Sequence, residues 1–321
     1  MYEEAYNFMI PIFIGGHPRS GTTLLGAMVG THTDCICTPE SQFKTRALRQ
    51  SGGDKADIST ALRWIKEDWR FRIWGLDIGT APLDELHSYS NLILWIVKAY
   101  GEKFGKKNPG IWVDHTPSNV KNAASLLELF PDAKFIHIVR DGRAVASSIM
   151  PLDWGANTIN GAALSWAKRM SQYVAVESSL GSKKIVRVRF EDLVLEPETT
   201  LISICGFLGI DYQSQMVKGG GLKVPQYTLK QHSLIGKGPD QKEVKSWEKE
   251  LSPRQIEIFE SVAGELLLSM GYALKYGRKA KKMNLSERLI SGIQEIYKRN
   301  MINKFRHKTR IREGIASVHR H

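Results

Sequence analysis

Between the apolar run IPIFIGG (Ile10–Gly16) and the start of GTTLLGAMV lies the loop GGHPRSGTT, and it constrains this chain more than any other stretch. A short apolar run ending in glycines suits a buried parallel strand, and the run that follows suits a buried helix. Strand, glycine loop and helix start together make a cradle for an anion: backbone N–H groups converge on it and the helix dipole favours negative charge. The triphosphate-binding pattern G-x-x-x-x-G-K-[ST] is half met. Gly16 and Gly21 have its spacing, but Thr22 stands where the lysine for the β/γ-phosphates belongs. Ser20, Thr22 and Thr23 add hydroxyl donors, and Arg19 adds a fixed charge and a planar donor fork.

The remaining pattern alternates strands with helices. WVD (Trp112–Asp114) reads as a strand end. Thr116 and Pro117 then read as the cap and first position of a helix that Pro131 closes. KFIHIV (Lys134–Val139) is the next strand, with a helix running on through Ser148, and KIVRVRF (Lys184–Phe190) is another. Pro197 opens a helix that Gly209 closes. Ser252, Pro253 and Gln255 spell a capping box for one ending near Gly271. The expected fold is α/β, a P-loop-type parallel sheet flanked by helices. The residues between 51 and 108 are irregular and aromatic (Trp64, Trp69, Phe71, Trp74, Trp95). They suit a core, and stacking on a sugar or phenol is the other reading.

Charge divides the chain. From Arg278 onward 13 Lys/Arg face three acids, a net +10, whereas the preceding 277 residues carry only +2. The expected organisation is one elaborated domain over residues 1–277 and a basic amphipathic tail over 278–321. A tail helix spans about Asn284–Met301, with Leu285, Leu289, Ile293, Ile296 and Tyr297 on one face. It reads either as a terminal helix docked on the body or as an interfacial helix drawn to an anionic membrane or an acidic partner. No nucleic-acid recognition motif accompanies the charge, so no specific nucleic acid is expected. Cys35, Cys37 and Cys205 form neither a disulfide framework nor a metal pattern, and no apolar stretch is long enough to span a membrane. These features predict a cytoplasmic protein, with surface association through the tail.

The strand FIHIV ends in Arg140, where a metal-holding aspartate would stand in a triphosphatase, and Ser148 follows eight residues later. A cation and a hydroxyl there suit a second phosphate, separate from the first. Two phosphate sites without a γ-phosphate lysine point to a nucleotide phosphorylated at two positions.

PRSGTTLL resembles the 5′-phosphosulfate loop of the sulfotransferases that use 3′-phosphoadenosine 5′-phosphosulfate (PAPS), and VRDGRAVASS resembles their 3′-phosphate motif. Arginine within the loop makes the likeness closest to the protein-tyrosine sulfotransferase branch and its bacterial relatives. RFEDLVLEPETTLISICGFLGI and KSWEKELSPRQIEIFESVAGELLLSMGY are similar to the family's late segments, so the resemblance runs from about Ile10 to Tyr272 with a gap over the aromatic middle. It implies sulfuryl transfer from PAPS to an acceptor hydroxyl on a glycan, lipid-linked sugar, metabolite or tyrosine. The product is 3′,5′-adenosine bisphosphate, and no metal is required. Cofactor contacts are then expected from Arg19, Ser20, Gly21, Thr22, Thr23, Arg140, Ser148, Ser233 and Lys237, with Arg19 also stabilising the departing phosphate oxygen.

Two residues qualify as the base that accepts the hydroxyl proton. Glu40 lies 21 residues after Arg19, at the place where the tyrosine sulfotransferases carry a glutamate. His115 stands where many relatives have lysine. Here Asp114–His115 departs from the family pattern, and Phe190 stands where the family often has tyrosine. Two other classes stay open on the residues alone: an atypical phosphotransferase using ATP and Mg²⁺, and a non-catalytic nucleotide-binding module.

Overall fold

The computed structural model describes residues 9–51, 57–106, 108–223 and 235–313. Five strands, β1 (Ile10–Gly16), β2 (Cys35–Thr38), β3 (Ile111–Asp114), β4 (Lys134–Val139) and β5 (Ile185–Arg189), form one sheet in the order β2-β3-β1-β4-β5. All four pairings are parallel. A parallel sheet needs both faces covered, which is why its central strand β1 is apolar and buried along almost its whole length, while the edge strand β5 carries Arg187 and Arg189. β1 sits in the middle and alternates its side chains between two cores. Phe13 meets Trp112, Phe135 and Phe130 on one face, with ring centroids 5.5–5.9 Å apart. Ile12 and Ile14 join Val113, Ile136 and Ile138 on the other.

The helices are α1 (Thr22–Val29), α2 (Phe43–Ser51), α3 (Ile58–Glu67), α4 (Trp69–Arg72), α5 (Tyr89–Lys103), α6 (Ala123–Leu129), α7 (Gly142–Ile149), α8 (Ile159–Leu180), α9 (Phe190–Leu195), α10 (Pro197–Leu208), α11 (Trp247–Glu250), α12 (Pro253–Ser269), α13 (Leu285–Tyr297) and α14 (Asn303–Arg312). The capping box is present at α12: Gln255 N–H donates to the Ser252 hydroxyl and the Gln255 side chain accepts from Ser252 N–H. The aromatic middle is mainly core. Phe71 and Trp74 are buried, and Trp64 and Trp95 pack against the same cluster.

Two expectations are corrected. No helix starts at Pro117. Thr116 spends its hydroxyl on Ser41 N–H (2.9 Å), so the chain makes only a short 3₁₀ turn at Val120–Asn122 before α6. The tail helix also does not end at Met301. It widens into a π turn over Lys298–Ile302 and continues as α14 to Arg312. Among the described residues no helix is long and apolar enough to cross a membrane.

This topology fixes where a site can form. From β1 the chain leaves toward β2 on one side, and from β4 it leaves toward β5 on the other. The crevice beyond the carboxyl ends of β1 and β4 is therefore the switch point of the sheet, where open α/β folds bind ligands.

Candidate functional site

Four singled-out residues follow the carboxyl ends of four adjacent strands. Across the sheet they are Glu40 (after β2), His115 (β3), Arg19 (β1) and Arg140 (β4).

The β1–α1 loop is tightly built. A Cβ on Gly16 would lie 2.3 Å from the Ile138 carbonyl oxygen of β4, so the strand can enter the loop only as glycine. Arg19 (φ 72°) and Gly21 (φ 98°) both take the left-handed conformation. Such strain in a non-glycine residue is tolerated where the surroundings hold it. The first α-helical hydrogen bond is Leu25 N–H to Gly21 O (3.0 Å), which leaves the N–H groups of Thr22, Thr23 and Leu24 ahead of the ladder. The Ser20 hydroxyl and His17 Nε2 are buried with no hydrogen-bond partner among the described residues. Burial holds the His17 imidazole down at about 4, hence neutral. Its one N–H, at Nδ1, is given to the Pro18 carbonyl (2.8 Å), so the unpartnered donor here is the Ser20 hydroxyl, which beside the free N–H groups of the helix start suits an anion-binding cradle.

Arg140 and Arg19 join the two phosphate motifs directly. Arg140 Nη1 donates to the Arg19 carbonyl (3.2 Å), and Arg19 Nε donates to the Ser148 hydroxyl (3.0 Å). Ser148 lies in the last turn of α7, whose entrance belongs to Asp141, which caps Arg143 N–H. The Arg140 guanidinium lies 4.4 Å from the Phe190 ring centroid, and Phe190 also closes over Gly21, where a Cβ would be 2.4 Å from its ring. Beneath, Arg143 is tied to Asp141 (2.7 Å) and Glu260 (2.7 Å) and stacks on Trp247. This fixes the α7 entrance.

On the other side Glu40 is half-buried, with Gln42 Nε2 donating to its Oε2 (3.1 Å). Burial raises its carboxyl to about 7, against the opposing pull of Arg70 and Gln42. A carboxylate poised near neutrality is suited to general-base work. His115 is fully buried against Gly26 of α1, and both ring nitrogens lack a partner among the described residues. Burial lowers it to about 4. It is a neutral imidazole, without the charge of the lysine it replaces.

Sequence reasoning missed the support of this half. Lys44, fully buried, donates to Asp114 Oδ2 (2.8 Å), Asn119 Oδ1 (2.8 Å) and Ser41 Oγ (3.0 Å). Asp114 also accepts from the Ser41 hydroxyl and from Thr116 N–H. Burial disfavours its charge, but Lys44 and these donors win and hold it at about 2. This knot ties the Glu40 segment to the His115 strand end. A lysine four residues after Glu40, amid the polar residues Ser41, Gln42, Thr45 and Arg46, carried no sequence signal of burial.

Of two further expected contacts, one falls outside the described residues and the other stands apart from the loop. Ser233 lies outside the described residues. Lys237 is exposed on a turn whose Gly236 N–H bonds to Gly219 O (3.1 Å), beside Met28 toward the far end of α1. No hydrogen bond among the described residues links it to the loop.

A parallel sheet with a lysine-free phosphate loop at its switch point defines a P-loop-type α/β protein. The model of the sulfotransferase family matches residues 11–214, and the chain belongs to that family. Relatives include protein-tyrosine sulfotransferase A of Caenorhabditis elegans (28% identical over 221 residues, 67% of this chain and 54% of that protein). Protein-tyrosine sulfotransferase 2 of Gallus gallus is 29% identical, over 67% of this chain and 55% of that protein. The chain thus spans about half the length of these relatives. Two solved structures share the fold: the sulfotransferase domain of the Synechococcus PCC 7002 olefin synthase (TM-score 0.58, 21% identical, covering 83% of this chain and 95% of that one) and that of the curacin biosynthetic pathway (TM-score 0.56, 19%, covering 83% and 98%).

Proposed function

We propose that this protein transfers a sulfuryl group from PAPS to an acceptor hydroxyl, with Glu40 as the base. The observation that carries the reading is the junction of Arg140, Arg19 and Ser148. It sets two cationic phosphate motifs side by side, with a carboxylate near neutrality at the same edge of the sheet. In the reaction the acceptor oxygen forms a bond to sulfur while the bond from sulfur to the 5′-phosphate oxygen breaks. The hydroxyl proton passes to the Glu40 carboxylate, and the bonding electron pair stays on the phosphate oxygen. Arg19, Ser20, Thr22 and Thr23 hold that oxygen, where fixed donors contribute most as charge builds. Arg140 and Ser148 hold the 3′-phosphate. His115, neutral, serves as a donor to the transferring group rather than as the base.

The named relatives favour a phenolic hydroxyl, a peptide tyrosine, as acceptor class; glycans, lipid-linked sugars and metabolites are the other arms of a screen. We place the reaction in the cytoplasm, supported by three buried free thiols, and at a membrane surface, supported by the basic tail.

The test is calorimetric titration with 3′,5′-adenosine bisphosphate in EDTA, alongside ATP with Mg²⁺. Metal-free binding of the bisphosphate, followed by sulfuryl transfer from PAPS to a tyrosine peptide or another hydroxyl acceptor, is expected. Binding of ATP·Mg²⁺ alone would overturn the reading in favour of a phosphotransferase, and binding of neither would leave a non-catalytic module.

A further inference from the structure

The tail is mounted with the wrong face outward for a docked terminal helix. Ordinarily the apolar stripe of such a helix turns to the core. Here Leu285 (78% exposed), Leu289 (69%), Ile293 (67%), Met301 (61%) and Phe305 (73%) stand in solvent, with Ile296 and Tyr297 beside them. The π turn at Lys298–Ile302 helps: its wider winding offsets the drift of four-residue steps and keeps Met301 and Phe305 on the exposed side.

What holds the tail is polar. Arg254 grips Glu287 with two hydrogen bonds (2.8 and 2.7 Å), and Asn157 Nδ2 donates to Glu295 (2.8 Å). Asn303 Nδ2 donates to Asn157 Oδ1 (2.9 Å), Arg306 to the Pro151 carbonyl (3.0 Å), and Arg310 pairs with Asp153 (3.0 Å). A groove of about 420 Å³, lined partly by Met150, Ile258, Met283 and Ile290, stays open beneath α13. The polar bonds fix which face looks out.

Charge then selects the occupant. Glu287 and Glu295 are both turned to the body, so their charge is spent there. Arg288, Arg299, Lys304, Lys308 and Arg312 are exposed, and Glu313 is the single exposed acid between Arg278 and Glu313. An apolar stripe bordered by unanswered cations complements a surface that is apolar inside and anionic outside. A second copy would set cations against cations.

We infer that the exposed face of α13 and α14 is a docking surface for an anionic phospholipid membrane, seating the helices in the headgroup layer with the body above. This deepens the location given under the proposed function, and its failure is separable from failure of the sulfuryl chemistry. The full chain is sedimented with vesicles of roughly three parts phosphatidylcholine to one of phosphatidylserine, and with phosphatidylcholine alone. Binding to the anionic vesicles is expected to exceed that to neutral ones by about tenfold or more, and to weaken with salt. Leu289→Asp with Ile293→Asp should lower it about a hundredfold. Arg299→Gln, Lys304→Gln and Lys308→Gln together should do the same. Titration of both variants with adenosine bisphosphate should match the starting protein, which shows that the body is intact. Absence of vesicle binding, or binding indifferent to either variant, overturns the inference. So does a dimer in sedimentation velocity that Leu289→Asp with Ile293→Asp dissolves, or tighter binding to polyglutamate than to anionic vesicles. If the bisphosphate fails to bind while vesicles bind as expected, the membrane face stands and the proposed chemistry falls.

Discussion

Replacing Lys44 with methionine isolates the knot beneath the candidate base. Methionine keeps most of the stem's bulk but removes the ammonium that bonds to Asp114, Asn119 and Ser41. Asp114 is left as a fully buried carboxylate without its counter-charge. Breaking a buried pair from one side costs about 3–5 kcal/mol. With unfolding entropy of about 2.1 cal/mol/K per residue, the 321 residues give about 0.7 kcal/mol/K. The melting temperature should therefore fall by about 4–7 °C in scanning calorimetry. The deficit depends on pH. Asp114's native carboxyl is held at about 2, below the ordinary carboxylate range, so its pairing contributes stability above that range and loses it as pH falls toward 2. Without Lys44 burial pushes the carboxyl up, and protonation relieves the orphaned charge. The variant should thus be most impaired near pH 8 and approach the starting protein near pH 5. Lys44→Met with Asp114→Asn should recover at least half the loss. A loss below about 1 kcal/mol at pH 8, or a double variant no better than the single one, would refute the reasoning.

Three further outcomes concern the site. Arg19→Ala should cut turnover by about 10²–10³, more than it weakens cofactor binding, because its charge matters most as the departing oxygen gains charge; titration together with steady-state kinetics separates the two. Arg140→Ala should weaken bisphosphate binding by about 10–100-fold, the contribution of a charge-assisted phosphate contact, and unchanged calorimetric affinity would remove its 3′-phosphate role. Glu40 must be ionised to accept a proton, so kcat/KM should rise with pH to a plateau above about 7. Glu40→Gln should abolish both activity and that limb at unchanged bisphosphate affinity; an active Glu40→Gln beside a dead His115→Ala would transfer the role to His115.

The site's frame was legible because its residues sit where local rules act. Gly16 and Gly21 mark a strand leaving for a helix, and Arg140 closes a run that is apolar but for His137, so the parallel sheet and its loop follow from pattern alone. The spacing of Arg140 and Ser148 also survived, but not the manner in which they meet the loop. Ser148 reaches it from the last turn of α7, through Arg19, a contact spanning 129 residues that no local signal encodes. Thr116 misled for the same reason. Its sequence reads as a cap, yet a bond to Ser41, 75 residues away, outcompetes the helix start. The Lys44 knot was invisible because a buried charge is recognised by its partners, and those come from β3 and the turn after it. The amphipathic tail was seen correctly as a helix with one apolar face. Which way that face points is set by Asn157, Arg254 and Asp153, all outside the tail.

The position of β1 carries a consequence for how the chain is made. It is the central strand, yet its neighbours start at Ile111 and Lys134. Synthesis at about 5–20 residues per second leaves it without a ladder partner for on the order of ten seconds. Throughout that interval the nascent chain displays IPIFI, a short, uncharged, β-prone segment with only Pro11 to discourage stacking. The loop that most defines the folded protein is therefore tethered to an adhesive stretch at birth. Yield of soluble protein should depend on slow, cool expression or on a holdase that covers the amino-terminal strand until β3 and β4 arrive.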